Sequence, residues 1–198
     1  MTHHIDLDSI VLLEGSHGSR EQGVCLLEAV AWWAHEEHTD RPSCVDGTLA
    51  AFGRTWNDGL RSDVERGQLK PYIRALVGTA GTPDDASRRA WLALDWSVRV
   101  STPAWLDLAG LAGQAQRLRG LPELTAADDD VLALLREVRS DAAAARAAAG
   151  DAAWSAAGAA LEPTVTAVQT SAHLLLRRMI VAGPHDADAV AALPEVLA

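Results

Sequence analysis

The sequence predicts an all-α fold, a helical bundle in one domain of about six or seven helices, and three observations carry that prediction. Helix start and stop signals succeed one another from Ser43 to Pro184 at intervals suited to short and medium helices. No run of alternating apolar and polar residues of strand length separates them. Alanine dominates the apolar fraction of 48%, β-branched aliphatics are sparse, and seven Trp stand against one Phe and one Tyr. That balance favours helix over sheet. At 198 residues the chain is long enough to bury a real core.

Taken in order, residues 1–20 form an arm in which IVLL lies between acidic residues and EGSHGSR, readable either as a helical turn or as a strand-like segment. From Gln22 to His38 apolar residues surround the helix axis, as in a core helix. HTDRPSC reads as a loop, and Ser43 with Asp46 reads as a capping box for a helix ending at Asn57-Asp58-Gly59. Ser62 with Glu65 repeats the signature, Pro71 kinks or restarts that helix, and Gly78 ends it. Thr82-Pro83 opens a helix to about Ser101, and Thr102-Pro103 opens another that closes near Gly120. The Ala-rich stretch from about Thr125 to Leu161 predicts a long helix. Pro163 breaks or kinks it before a final helix to Ala182, stopped by Gly183-Pro184. Gly150, Trp154 and Gly158 recur every four residues, a stripe suited to close helix packing. The expected organisation is an arm (1–20), a helical core (21–122), an Ala-rich hairpin packed on it (123–183) and a tail (184–198).

The net charge of −10 argues against nucleic acid and anionic membranes as partners. No uncharged run reaches the ~20 residues of a membrane span. MTHHIDLD places acidic residues where a secretory leader has its apolar core. Cys25 and Cys44 are therefore expected as free thiols in the cytoplasm.

Chemistry-bearing residues concentrate between Gln22 and Leu60. On a helix through His38, Cys25, Glu28, Trp32 and His35 share one face. A carboxylate among LLEAVA needs a partner, since an unpaired buried charge is costly. Arg99 is the expected partner, with Arg88 or Arg89 as substitutes, because all three sit on a second Trp-rich helix. Binding candidates are thus Glu28, Trp32, His35, Asp58 and Arg99. Catalytic candidates are Glu28 as base and Cys25 as nucleophile, its thiol acidified by the helix N-terminus, with His17 folding back from GSHG. His35, His38 and Cys44 are the candidate metal ligands, without any Cys-x-x-Cys or His-Glu-x-x-His to support them. No metal and no cofactor is expected.

The blocks GVCLLEAVAWWAHEEHTDRPSCV, WNDGL, LKPYIRALVGT, RRAWLALDWSVR and TPAWLDLAGL precede an Ala-rich stretch and LEPTVTAVQTSAHLLLRRMI. In this order they resemble a family of uncharacterised, alanine-rich helical proteins of actinobacteria and their phages. The resemblance covers nearly the whole chain and implies one helical design. It brings no activity, so it assigns no residue a role.

Two functional readings follow. The first is a non-catalytic cytoplasmic helical protein that binds a protein or small molecule, with its own copies pairing through the C-terminal helices. The second is a small hydrolase or transferase using Glu28, Cys25 and a nearby His in an enclosed pocket.

Overall fold

The computed structural model describes residues 6–126, 128–148 and 151–195, apart from the side chains of Asp8 and of residues 145–160. Among the described residues the regular elements are helices, with an isolated parallel bridge between Leu12 and Val24. The chain divides into two compact units, where one domain is expected from the sequence. One comprises Met1–Ala90 and Leu176–Glu195, the other Trp91–Leu175.

In the first unit, the arm resolves into a 3-10 turn at Leu7–Ser9 and an extended piece. There Ile10 and Leu12 are buried while Val11 faces out. The core helix is shorter than predicted: α1 is Leu26–Trp33, with Cys25 as N-cap and Ala34 as C-cap. It stops because His35 takes a left-handed conformation, φ 59°. The N–H of His35 then bonds Trp32 O, and that of Glu36 bonds Ala31 O. This is a Schellman ending with His where glycine is usual.

α2 (Gly47–Gly59) is capped by Asp46, whose side chain accepts from the N–H groups of Thr48 and Leu49, rather than by Ser43. Its Gly53 lies against α1; a Cβ there would come within 3.0 Å of Leu27 Cδ2. Ser62 caps α3 (Asp63–Arg66) as predicted. A 3-10 turn and Pro71 lead to α4 (Tyr72–Leu76), and Gly78 at φ +76° ends that run. Leu26, Leu27, Leu49, Leu69, Ile73 and Leu76 are fully buried with Leu176, Met179 and Ile180.

The boundary between the units falls within α5 (Pro83–Trp96) and again within α9 (Asp151–Val181). Thr82 and Asp85 form a reciprocal cap at the start of α5. A π turn at Ser97–Ser101 carries the chain into α6 (Thr102–Leu108) without the break expected at Thr102-Pro103. α7 (Ala112–Arg119) closes at Gly120 as predicted. Val98, Leu106, Ala115, Leu118, Leu124 and Val138 form the second unit's core, Val138 coming from α8 (Asp129–Ala148).

Residues 125–182 give two helices, as expected. α9, however, runs 31 residues straight through Pro163. A proline costs a helix one donor and a steric adjustment, which the rest of a helix this long can carry. The Gly150, Trp154 and Gly158 stripe lies outside the described residues. The tail adds α10 (Ala187–Ala191), capped by Asp186.

Candidate functional site

The helix boundary at Cys25 decides what Glu28 does. With Cys25 as N-cap, Glu28 stands at the third helical position, where a carboxylate reaches back to the free N–H groups of the first turn. Its Oε2 accepts from the Cys25 N–H at 2.8 Å. Residues 13–24 fold over this helix start and bring further donors. The His17 N–H reaches Oε1 at 2.6 Å, and His17 Nδ1 lies 2.8 Å from Oε2. His38 arrives from beyond the end of α1, its Nε2 3.6 Å from Oε1 and 2.9 Å from the His17 carbonyl. With a carbonyl as partner, His38 Nε2 must carry the hydrogen. Its Nδ1 is buried and has no hydrogen-bond partner.

The Glu28 side chain is 1% exposed. Burial works to raise its pKa, but the N–H groups of His17 and Cys25 and the His17 imidazole outweigh burial and hold it below the usual carboxylate range. Next to it the Cys25 thiol is pushed the other way. Burial chiefly, with help from the Glu28 charge, raises it to about 12. The acidifying effect expected of the helix N-terminus does not prevail.

The same loop is fastened on its far side. Asn57 Nδ2 donates to Leu13 O at 2.9 Å, while its Oδ1 accepts from the Leu26 N–H at 3.2 Å. Asp58 Oδ1 takes the Gly15 N–H at 2.9 Å. Arg66 donates to Asn57 O and Leu60 O and pairs with Asp63 and Glu14. At Gly23, φ is +140°, and a Cβ would lie 2.5 Å from Leu13 Cδ1 and 2.9 Å from His17 Cδ2. Only glycine lets His17 lie this close to the returning chain.

The structure thus brings together Glu28, Cys25, His17 and His38, with Asp58 at the loop's other anchor. It does not bring the remaining candidates to them. His35 is the exposed turn residue after α1, because the helix on which it shared a face with Glu28 ends before it. Trp32 is half-buried under the Arg20 guanidinium, 5.3 Å from its ring. Cys44 is engaged elsewhere: its N–H and Ser43 bind Glu36, and burial followed by the Glu36 charge raises its thiol to about 11. Both cysteines are free thiols. Among the described residues no group of three or more His, Cys, Asp or Glu is placed to hold a metal, so His35, His38 and Cys44 do not converge.

The expected arginine partners also have other roles. Arg99 pairs with Asp95 at 2.9 Å, and Asp95 also takes the Leu124 N–H. Arg88 binds Asp85 and Ala182 O. Arg89, fully buried, pairs with Asp46 at 3.1 Å. It also donates to Thr79 O at 2.8 Å and Met179 O at 2.9 Å, covering carbonyls at the end of α9. Sequence reasoning missed the Asp46–Arg89 pair and the Asn57 bridge. The one local signal was a strong N-cap residue, Asp, at the head of GTLAAFG.

Among the described residues no helix is long and apolar enough to cross a membrane. Comparison with family models, curated proteins and solved structures returned no match.

Proposed function

We propose that this chain is a non-catalytic helical interaction protein of the cytoplasm that acts by binding a protein or small molecule, with pairing of its own copies through the C-terminal helices as one form of that binding. The observation that carries this reading is the engagement of its reactive groups in the fold. Both Glu28 oxygens accept hydrogen bonds from the loop and helix start they hold together. A base must keep an acceptor free for its substrate, and a cysteine nucleophile needs a thiolate near neutral pH. A thiol raised to about 12 supplies almost none. The second unit leaves Trp105 41% exposed, and a tryptophan is a common anchor of binding surfaces.

Alkylation of the native protein with iodoacetamide near pH 7.5, followed by peptide mapping, tests the reading against its hydrolase or transferase rival. Cys25 is expected to react far more slowly than in the unfolded chain. Reaction as fast as in the unfolded chain, or faster, would mark an activated thiol and overturn the proposal.

A further inference from the structure

The cluster on Glu28 holds one carboxylate and two imidazoles, and protons reach the two imidazoles with different consequences. His17 faces Glu28 through Nδ1, so a proton added to its ring turns a hydrogen bond into an ion pair and keeps every contact. His38 is already donating from Nε2 to the His17 carbonyl, and its Nδ1 is buried with nothing to bond. A proton there creates a buried N–H without an acceptor.

We propose that Glu28, His17 and His38 form a proton-operated latch on residues 13–24, closed while His38 is neutral and released when His38 gains a proton.

The groups around His38 are consistent with that asymmetry. From α1 it meets the Glu28 carboxylate, beside which the Cys25 thiol stays uncharged. From the loop it meets His17, with the exposed carboxylate of Glu21 nearby. Glu21 is exposed, so solvent screens it. On its own segment Glu36 is engaged by Ser43 and Cys44, and Asp40 lies 3.8 Å from Arg54. Opening of the loop gives Nδ1–H access to water. Opening also lifts Arg20, which rides on the loop, from the face of Trp32.

The latch goes beyond the binding reading and does not depend on it, since iodoacetamide reports on Cys25 and the latch on His38. Amide hydrogen exchange followed by NMR at pH 7.5 and 5.5, corrected for intrinsic rates, reads it directly. The amides of Leu13, Gly15, His17 and Cys25 each have an identified acceptor in the closed state. Their protection is expected to fall about tenfold or more at the lower pH, while the amides of α2 keep theirs. In His38→Gln, whose amide still donates to the His17 carbonyl but takes no proton, the fall should vanish. A pH-independent loop in the parent, or an equal fall in the variant, overturns the latch. Should the variant not fold, the parent alone decides. The ring signals of His38 and the loop amides must then titrate with one midpoint, and separate midpoints overturn the proposal.

Discussion

Among the carboxylates buried in the first unit, Asp46 and Glu28 are neutralised with different chemistry. Asp46 faces Arg89, whose guanidinium donors also close Thr79 O and the carbonyls at the end of α9. Glu28 faces two backbone N–H groups and imidazoles, partners whose charge depends on protons. One arrangement is a fixed joint between α2, α5 and α9. The other fastens a loop, and its strength follows pH. A buried acid therefore says little about function until its partner is known.

The comparison breaks first at Arg89. Replacing it with Met leaves the Asp46 charge buried and several carbonyls without donors. Arg89→Met should lose about 3–5 kcal/mol in chemical denaturation. An unchanged midpoint would mean that water or another cation reaches Asp46. Glu28→Gln ranks second. However its amide turns, an NH2 group faces a backbone donor, because Oε1 and Oε2 both accept from N–H groups. The loss expected in the same experiment at pH 7 is about 1–3 kcal/mol. The smallest effect belongs to the turn that carries the chain away from the site. His35→Gly relieves a left-handed residue and should raise stability by about 0.5–1 kcal/mol. A fall instead would assign the exposed imidazole a contact of its own.

Much of the fold was legible because helix ends are local chemistry. Ser62, Thr82-Pro83, Gly78 and Gly120 mark in the structure the starts and stops they mark in the sequence. The partner of Glu28 was not legible, for two physical reasons. A Cys in the N-cap position hides a capping box that Ser or Thr would announce, so the sequence pattern runs the helix back to Gln22 and sets Glu28 mid-helix. His17 and His38 then reach Glu28 from the segments before and after α1 by chain reversals, one allowed by Gly23 and one made at His35, which has no glycine to signal it. The sequence folds His17 back toward Cys25 as a catalytic candidate, whereas in the structure it clasps Glu28. Likewise, Asp46 and Arg89 stand too far apart in sequence for spacing to pair them, and only the packed helices do so.

The central claim is that the Glu28 carboxylate, in its charged form, holds residues 13–24 to the start of α1. Its folded pKa is depressed, so the stability it contributes is present above its unfolded value, about 4.5, and is lost as pH falls through the lower folded value. The stability difference between the parent and Glu28→Gln, measured by denaturant unfolding from pH 7 to pH 3.5, tests this most directly. The account predicts a gap that is widest near pH 7, narrows as the latch opens, and closes further below 4.5 as Glu28 takes up its proton. A gap already absent at pH 7, or one that does not narrow as pH falls below 4.5, would contradict it.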